Sequence, residues 1–146
     1  MKNIFFTFFI FTLLLTNSYS AGSDDSSSKV NSSYDKAVSI IKSAKKYEKK
    51  GKDKKAKKNY EKALKLLIKS NNKKPNKADT LNYLGFTTRK LGDYAGGEKY
   101  YLQGLTIEPN HNGINEYLGE LYIVTNRMDL AKERLSVLKS CNCKEY

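Results

Sequence analysis

Between residues 79 and 107 the apolar positions recur every three or four residues and are interrupted once. Leu81, Leu84, Thr88 and Leu91 fall on one face of a helix over about 79–91. Gly97, Tyr101, Gly104 and Leu105 do the same for a second helix over about 94–107. Gly92-Asp93 predicts the turn between them, because glycine accepts positive φ at a helix end and aspartate caps the next N-terminus. Pro109 stops the second helix. Strand-like alternation is sustained nowhere between residues 35 and 146, which predicts an all-α domain.

The pattern repeats. A shift of 34 residues places Tyr83-Leu84-Gly85 on Tyr117-Leu118-Gly119, Gly92 on Asn126, Gly97 on Ala131 and Tyr101 on Leu135. Upstream the same template fits at a spacing of 41, with Ala44, Gly51, Ala56, Tyr60, Ala63 and Leu64 matching Gly85, Gly92, Gly97, Tyr101, Gly104 and Leu105. The seven extra residues equal about two helical turns, so the second helix of the first unit lengthens without rotating its apolar face. Asn71 to Lys77 then serve as the link to the second unit. The units run over about 37–70, 78–111 and 112–145 of a domain spanning 35–146.

A Leu-Gly pair, a Gly-Asp-Tyr turn, a small residue followed four later by an aromatic, and a closing Glu-Pro-Asn at this period resemble the tetratricopeptide repeat (TPR). The chain departs from that pattern at Gly97 and Gly104, where alanine is usual, at Asn115, where a large apolar residue is usual, and at Cys143, where proline is usual. Each glycine lowers helix stability by about 1 kcal/mol relative to alanine. The resemblance implies a right-handed α-solenoid of about three helix-turn-helix repeats, acting as a protein-binding adaptor or scaffold through a concave groove. By likeness to the family's groove positions, the lining is Lys42, Lys45, Lys49, Asn82, Tyr83, Phe86, Lys90, Glu116, Tyr117 and Glu120. Such a groove is basic at one end, aromatic in the middle and acidic at the other. Some members of the family grip C-terminal carboxylates with paired lysines and asparagines, and Glu116 and Glu120 speak against that mode here.

The segment before the domain has its own character. Lys2 precedes an apolar run of about 12 residues, Ile4 to Leu15, and Ser18 and Ser20 flank Tyr19 ahead of Ala21. This is the signature of a signal peptide over 1–20, and the run is short of the roughly 20 residues a spanning helix needs. A retained membrane anchor is the alternative; length and flanks favour cleavage. The mature chain is then exported, periplasmic or secreted, with no membrane span. The polar, Ser-rich stretch 21–34 reads as a flexible leader.

Catalytic chemistry finds no foothold. GDYAGGEKY, residues 92 to 100, superficially resembles a phosphate loop. It follows a helix rather than a strand, inserts Glu98 between glycine and lysine, and offers Tyr100 where a metal-binding hydroxyl is required. The single histidine, His111, sits in a loop as a polar connector without a partnered nucleophile. No metal set converges and no cofactor motif is present, so the reading is a non-enzyme. Cys141 and Cys143 leave three readings open: a local disulfide, a link to another chain, or two free thiols. The ending CNCKEY also resembles short exported bacterial repeat proteins, in which a further helix follows. A structural bridge is favoured over the rival reading, a redox-linked accessory protein using this cysteine pair.

Charge and the last helix complete the picture. Residues 36–77 hold 17 lysines against Glu48, Asp53 and Glu61, a local net of +14 in a chain whose total is +12. Lys54, Lys58, Lys62, Lys65 and Lys69 follow helical spacing opposite Ala56, Tyr60, Ala63 and Leu67. A solvated helix face is the ordinary reading. An anionic partner (acidic protein, lipid surface or cell-wall polymer) is the sharper one. Nucleic acid ranks low, because the segment contains no arginine and the chain is read as exported. On the last helix, Leu130, Leu135, Val137 and Leu138 cannot all turn inward, which predicts self-association or partner contact through 128–146.

Overall fold

The computed structural model describes residues 32–140, and these form six helices with no strand among the described residues. They are α1 (Ser33–Glu48), α2 (Asp53–Lys73), α3 (Ala78–Lys90), α4 (Tyr94–Ile107), α5 (Asn112–Val124) and α6 (Met128–Lys139). Consecutive helices pack as the antiparallel pairs α1–α2, α3–α4 and α5–α6, and each pair stacks on the next. The first helices also touch one another, α1 against α3 and α3 against α5, so they line one side of an α-solenoid.

One turn is used three times. Gly51, Gly92 and Asn126 take positive φ angles of 63°, 98° and 59°. The residue after each donates its backbone N–H to a carbonyl five residues back: Lys52 to Tyr47 at 2.9 Å, Asp93 to Thr88 at 3.2 Å and Arg127 to Tyr122 at 2.7 Å. This is the 6→1 bond that closes a helix through a left-handed residue. Asparagine tolerates that conformation better than other side chains, which is why Asn126 stands in for glycine. Asp93 also caps α4, its Oδ1 accepting from the N–H of Gly96 at 2.8 Å.

Two boundaries differ from the sequence reading. Ser33 and Tyr34, assigned there to the leader, are the first residues of α1, because Ser32 and Asp35 form a reciprocal capping box. Tyr34 is further held edge-on to Tyr83, with centroids 5.9 Å apart. The link over 71–77 is also shorter than expected, since α2 continues to Lys73. Pro75 disfavours a helical conformation at the residue before it, and Lys74 leaves the helix at φ −138° and ψ 83°. The 21-residue α2 thus exceeds the 14-residue α4 by the seven residues inferred from the repeat offset.

The core forms two clusters. Ile41, Ala44, Ala56, Tyr60, Leu67, Leu81 and Leu84 fill the space between α1, α2 and α3. Tyr101, Ile114, Leu118, Leu121 and Ala131 fill that between α4, α5 and α6. At Gly97 an added Cβ would stand 3.0 Å from the Gly85 carbonyl oxygen and 3.2 Å from Arg89 Cβ. Here the glycine that disfavours an isolated helix is what lets α4 lie against α3. Gly104 does the same against Ile114.

Leu84 is 1% exposed and Leu118 is fully buried. Leu84→Ala or Leu118→Ala should therefore cost about 2 to 5 kcal/mol, read from urea unfolding. Costs near zero would place these side chains on the wrong face.

Candidate functional site

The inner side carries an aromatic platform clasped by cations. Phe86 on α3 and Tyr117 on α5 stack with centroids 4.9 Å apart and planes tilted by 42°. Lys45, reaching from α1, places its Nζ 4.4 Å from the Phe86 centroid and 5.2 Å from that of Tyr117. The same ammonium donates a 3.0 Å hydrogen bond to the Tyr117 hydroxyl. The Arg89 guanidinium lies 5.8 Å and 5.9 Å from the two ring centres. Each ring thus has both cations at its disposal, an arrangement the ring quadrupole favours. From below, Tyr60 of α2 packs edge-on to Phe86 at 5.9 Å.

Acidic side chains tie this platform to the helices around it. Glu48 accepts from the Tyr60 hydroxyl at 2.9 Å and pairs with Lys90 at 2.8 Å, joining the end of α1 to α2 and α3. Arg89 pairs with Glu120 at 2.6 Å, joining α3 to α5. Each expected end of the groove therefore also holds a charge of the opposite sign, Glu48 beside the lysines and Arg89 beside the glutamates.

The expected groove residues separate into three kinds. Lys45, Tyr117, Lys90 and Glu120 meet at the platform, whereas Lys42 and Lys49 stand exposed along α1. Tyr83 is half-buried against Tyr34, and Glu116 is half-buried on α5. Phe86, at 4% exposure, and Asn82, at 7%, are buried. Phe86 is covered by Lys45, Tyr60 and Tyr117, so it forms the floor. Asn82 faces the start of α5, where a Cβ on Gly113 would stand 2.7 Å from its Nδ2.

Sequence reasoning did not place Glu48, Tyr60 or Arg89 at the groove. The chain has three arginines, and all three are committed to contacts. Besides Arg89, Arg127 makes a forked pair with Glu98 at 2.8 Å and 2.7 Å, and Arg134 donates to Asn115 at 3.3 Å. Their scarcity among so many lysines was the available signal, since the guanidinium suits fixed, forked pairing.

Two residues read as incidental proved structural. Asn115 is fully buried, donating to the carbonyls of Pro109 at 3.0 Å and His111 at 3.1 Å while accepting from Arg134. His111 caps α5, its Nδ1 accepting from Ile114 N–H at 3.2 Å, while its Nε2 lies 3.2 Å from Asp79 Oδ1. That pairing puts the imidazole proton on Nε2. Among the described residues, no group of three or more His, Cys, Asp or Glu side chains could hold a metal ion. No helix among them is long and apolar enough to cross a membrane. Cys141, Cys143 and the segment 1–31 lie outside the described residues.

Burial raises the pKa of the Tyr34, Tyr60, Tyr83, Tyr101 and Tyr122 hydroxyls above the ordinary phenol value of 10.0, and at Tyr60 the hydrogen bond to Glu48 adds to the effect. The folded state therefore keeps these protons to a higher pH than the unfolded chain does. Stability from this source is whole below about pH 10 and declines as the pH rises above it. Urea midpoints should fall as the pH rises past about 10, with an increase in tyrosinate absorbance accompanying unfolding. A midpoint that holds steady over that rise would show the phenols to be open to solvent.

The model of the tetratricopeptide repeat matches residues 41–66 and 76–111. No curated protein matches the sequence. Among solved structures, the second TPR of Spaghetti (RPAP3) bound to the HSP90 peptide SRMEEVD is similar. Its TM-score is 0.53 at 16% identity, over 71% of this chain and 90% of that one. At that identity the likeness speaks to the fold alone. Over those residues the chain is similar to the tetratricopeptide repeat, and the solved structure is similar to it in fold.

Proposed function

We propose that the chain is a non-enzymatic adaptor that binds a peptide segment of a partner protein along the side formed by α1, α3 and α5. The platform of Tyr117 over Phe86, held by Lys45, is the observation that carries this reading. Its parts come from three helices of three units, so the contact surface exists only when the array is folded. A partner segment with an aromatic or apolar residue for the platform, and acidic residues for Lys42 and Lys49, fits best. That a similar fold holds a peptide in the Spaghetti (RPAP3) complex supports the mode of use. The signal-peptide pattern over residues 1–20 supports an exported compartment, periplasmic or secreted, for this adaptor. Partner capture from the exported fraction, followed by calorimetric titration, tests the reading. Lys45→Ala with Tyr117→Ala should weaken binding at least tenfold, about 1.4 kcal/mol. A partner held equally well by the double variant would remove the groove from the function.

Self-association through 128–146 belongs to the same proposal. Leu138 is buried and Leu130 and Val137 are half-buried. Leu135 remains exposed at 43%, and Ile123, Val124 and Met128 are 55%, 61% and 50% exposed. Ile123, Met128 and Leu135 line one shallow depression, and exposed apolar surface of this kind marks an interface. The informative substitutions are therefore Val124→Glu with Leu135→Glu, which should convert an associating chain to a monomer in sedimentation velocity. A wild type already monomeric at high concentration would end the self-association reading and leave the groove untouched.

A further inference from the structure

The outer face of α2 presents cations that the fold does not use. At 100° per residue, Lys54, Lys55, Lys58, Lys62, Lys65, Lys69 and Lys73 fall within roughly 100° of arc. Ala56, Tyr60, Ala63 and Leu67 are buried on the opposite side. All seven lysines are exposed, and none forms an ion pair among the described residues. The nearest thing to a partner is the Tyr47 ring, 5.9 Å from Lys55 Nζ. Like charges at helical spacing repel and oppose the helix that carries them. The arginines, by contrast, are all engaged within the protein.

We propose that this ridge is a docking surface for an anionic lipid bilayer. Its shape selects the partner. A helix of 21 residues makes a nearly straight edge of about 30 Å, convex and without a groove. A small anion cannot reach more than two or three of the ammonium groups, whereas a flat charged surface meets them all together. The chemistry agrees. Lysines act as mobile point charges, which suits a fluid layer of headgroups, and no arginine in the arc supplies forked phosphate contacts. No aromatic in the arc offers a stacking surface for single-stranded bases. Ile68, 42% exposed, flanks the ridge with an apolar side chain. Because α1, α3 and α5 form the other side of the solenoid, docking through α2 leaves the aromatic platform open.

The test is co-sedimentation of the full chain with vesicles of phosphatidylcholine alone, and with about one third phosphatidylglycerol added. The apolar run over 4–15 is common to every sample, so binding to neutral vesicles measures its share. The anionic vesicles should bind more strongly, and salt should abolish the excess. Lys58→Gln with Lys62→Gln and Lys65→Gln should reduce the excess about 100-fold, at roughly fivefold per lysine, with helicity by circular dichroism unchanged. A second set, Lys54→Gln with Lys69→Gln, should reduce it about 25-fold and guards against a folding defect in the first. Equal binding to both vesicle types, or variants that bind like the wild type, would overturn the proposal. Tighter binding to a DNA duplex than to the anionic vesicles would overturn it too, in favour of a polyanion.

Discussion

The close approach of α3 and α4 is the contact on which the other units depend. Gly85 and Gly97 meet with no side chain between them, and the Tyr101 ring fills the space that a Cβ on Gly85 would take. Among the described residues, this middle pair packs against a helix pair on each side. Its distance therefore sets where α2 lies against α3 and where α5 lies against α4. The aromatic platform inherits that geometry, because Phe86 and Arg89 sit one residue and one turn beyond Gly85 on the same helix. A methyl group at Gly85 would add helix propensity locally and displace the array globally.

Much of the fold was legible in the sequence because its determinants are local. Positive φ at Gly51, Gly92 and Asn126, the cap at Asp93 and the seven-residue extension of α2 each involve residues within one turn or one repeat offset. The site was legible only in part. Lys45, Phe86 and Tyr117 could be assigned to inner helices, but their stacking depends on how neighbouring units sit, which no short window encodes. The same holds for Arg89 with Glu120 and Arg127 with Glu98, separated by 31 and 29 residues. Asn115 shows the reverse failure. Read as a departure that weakens a helix, it is a buried amide that ties the turn before α5 to α6.

The two long faces of the solenoid differ in how they treat charge. On the inner side, Lys45, Arg89 and Lys90 are paired or stacked, each held by more than one contact. On the outer side of α2 the lysines form no ion pair among the described residues, and only Lys55 approaches a ring, that of Tyr47. Fixed charges suit a partner recognised by shape, and free charges suit one recognised by field alone. One helical array thus offers two kinds of recognition on opposite sides, and neither consumes the residues of the other.

Apart from the reach of Lys45 to Tyr117, the helix packing among the described residues runs within a pair or between neighbouring pairs. That wiring has a kinetic consequence. The contacts that close each unit are short in sequence, so little chain entropy is lost before they form, and such topologies fold quickly. Folding can begin in any pair and spread to its neighbours, with the interfaces supplying the cooperativity that a lone pair lacks. The middle unit, gripped on both sides, is then the last to open, and the outer pairs fray from the ends inward.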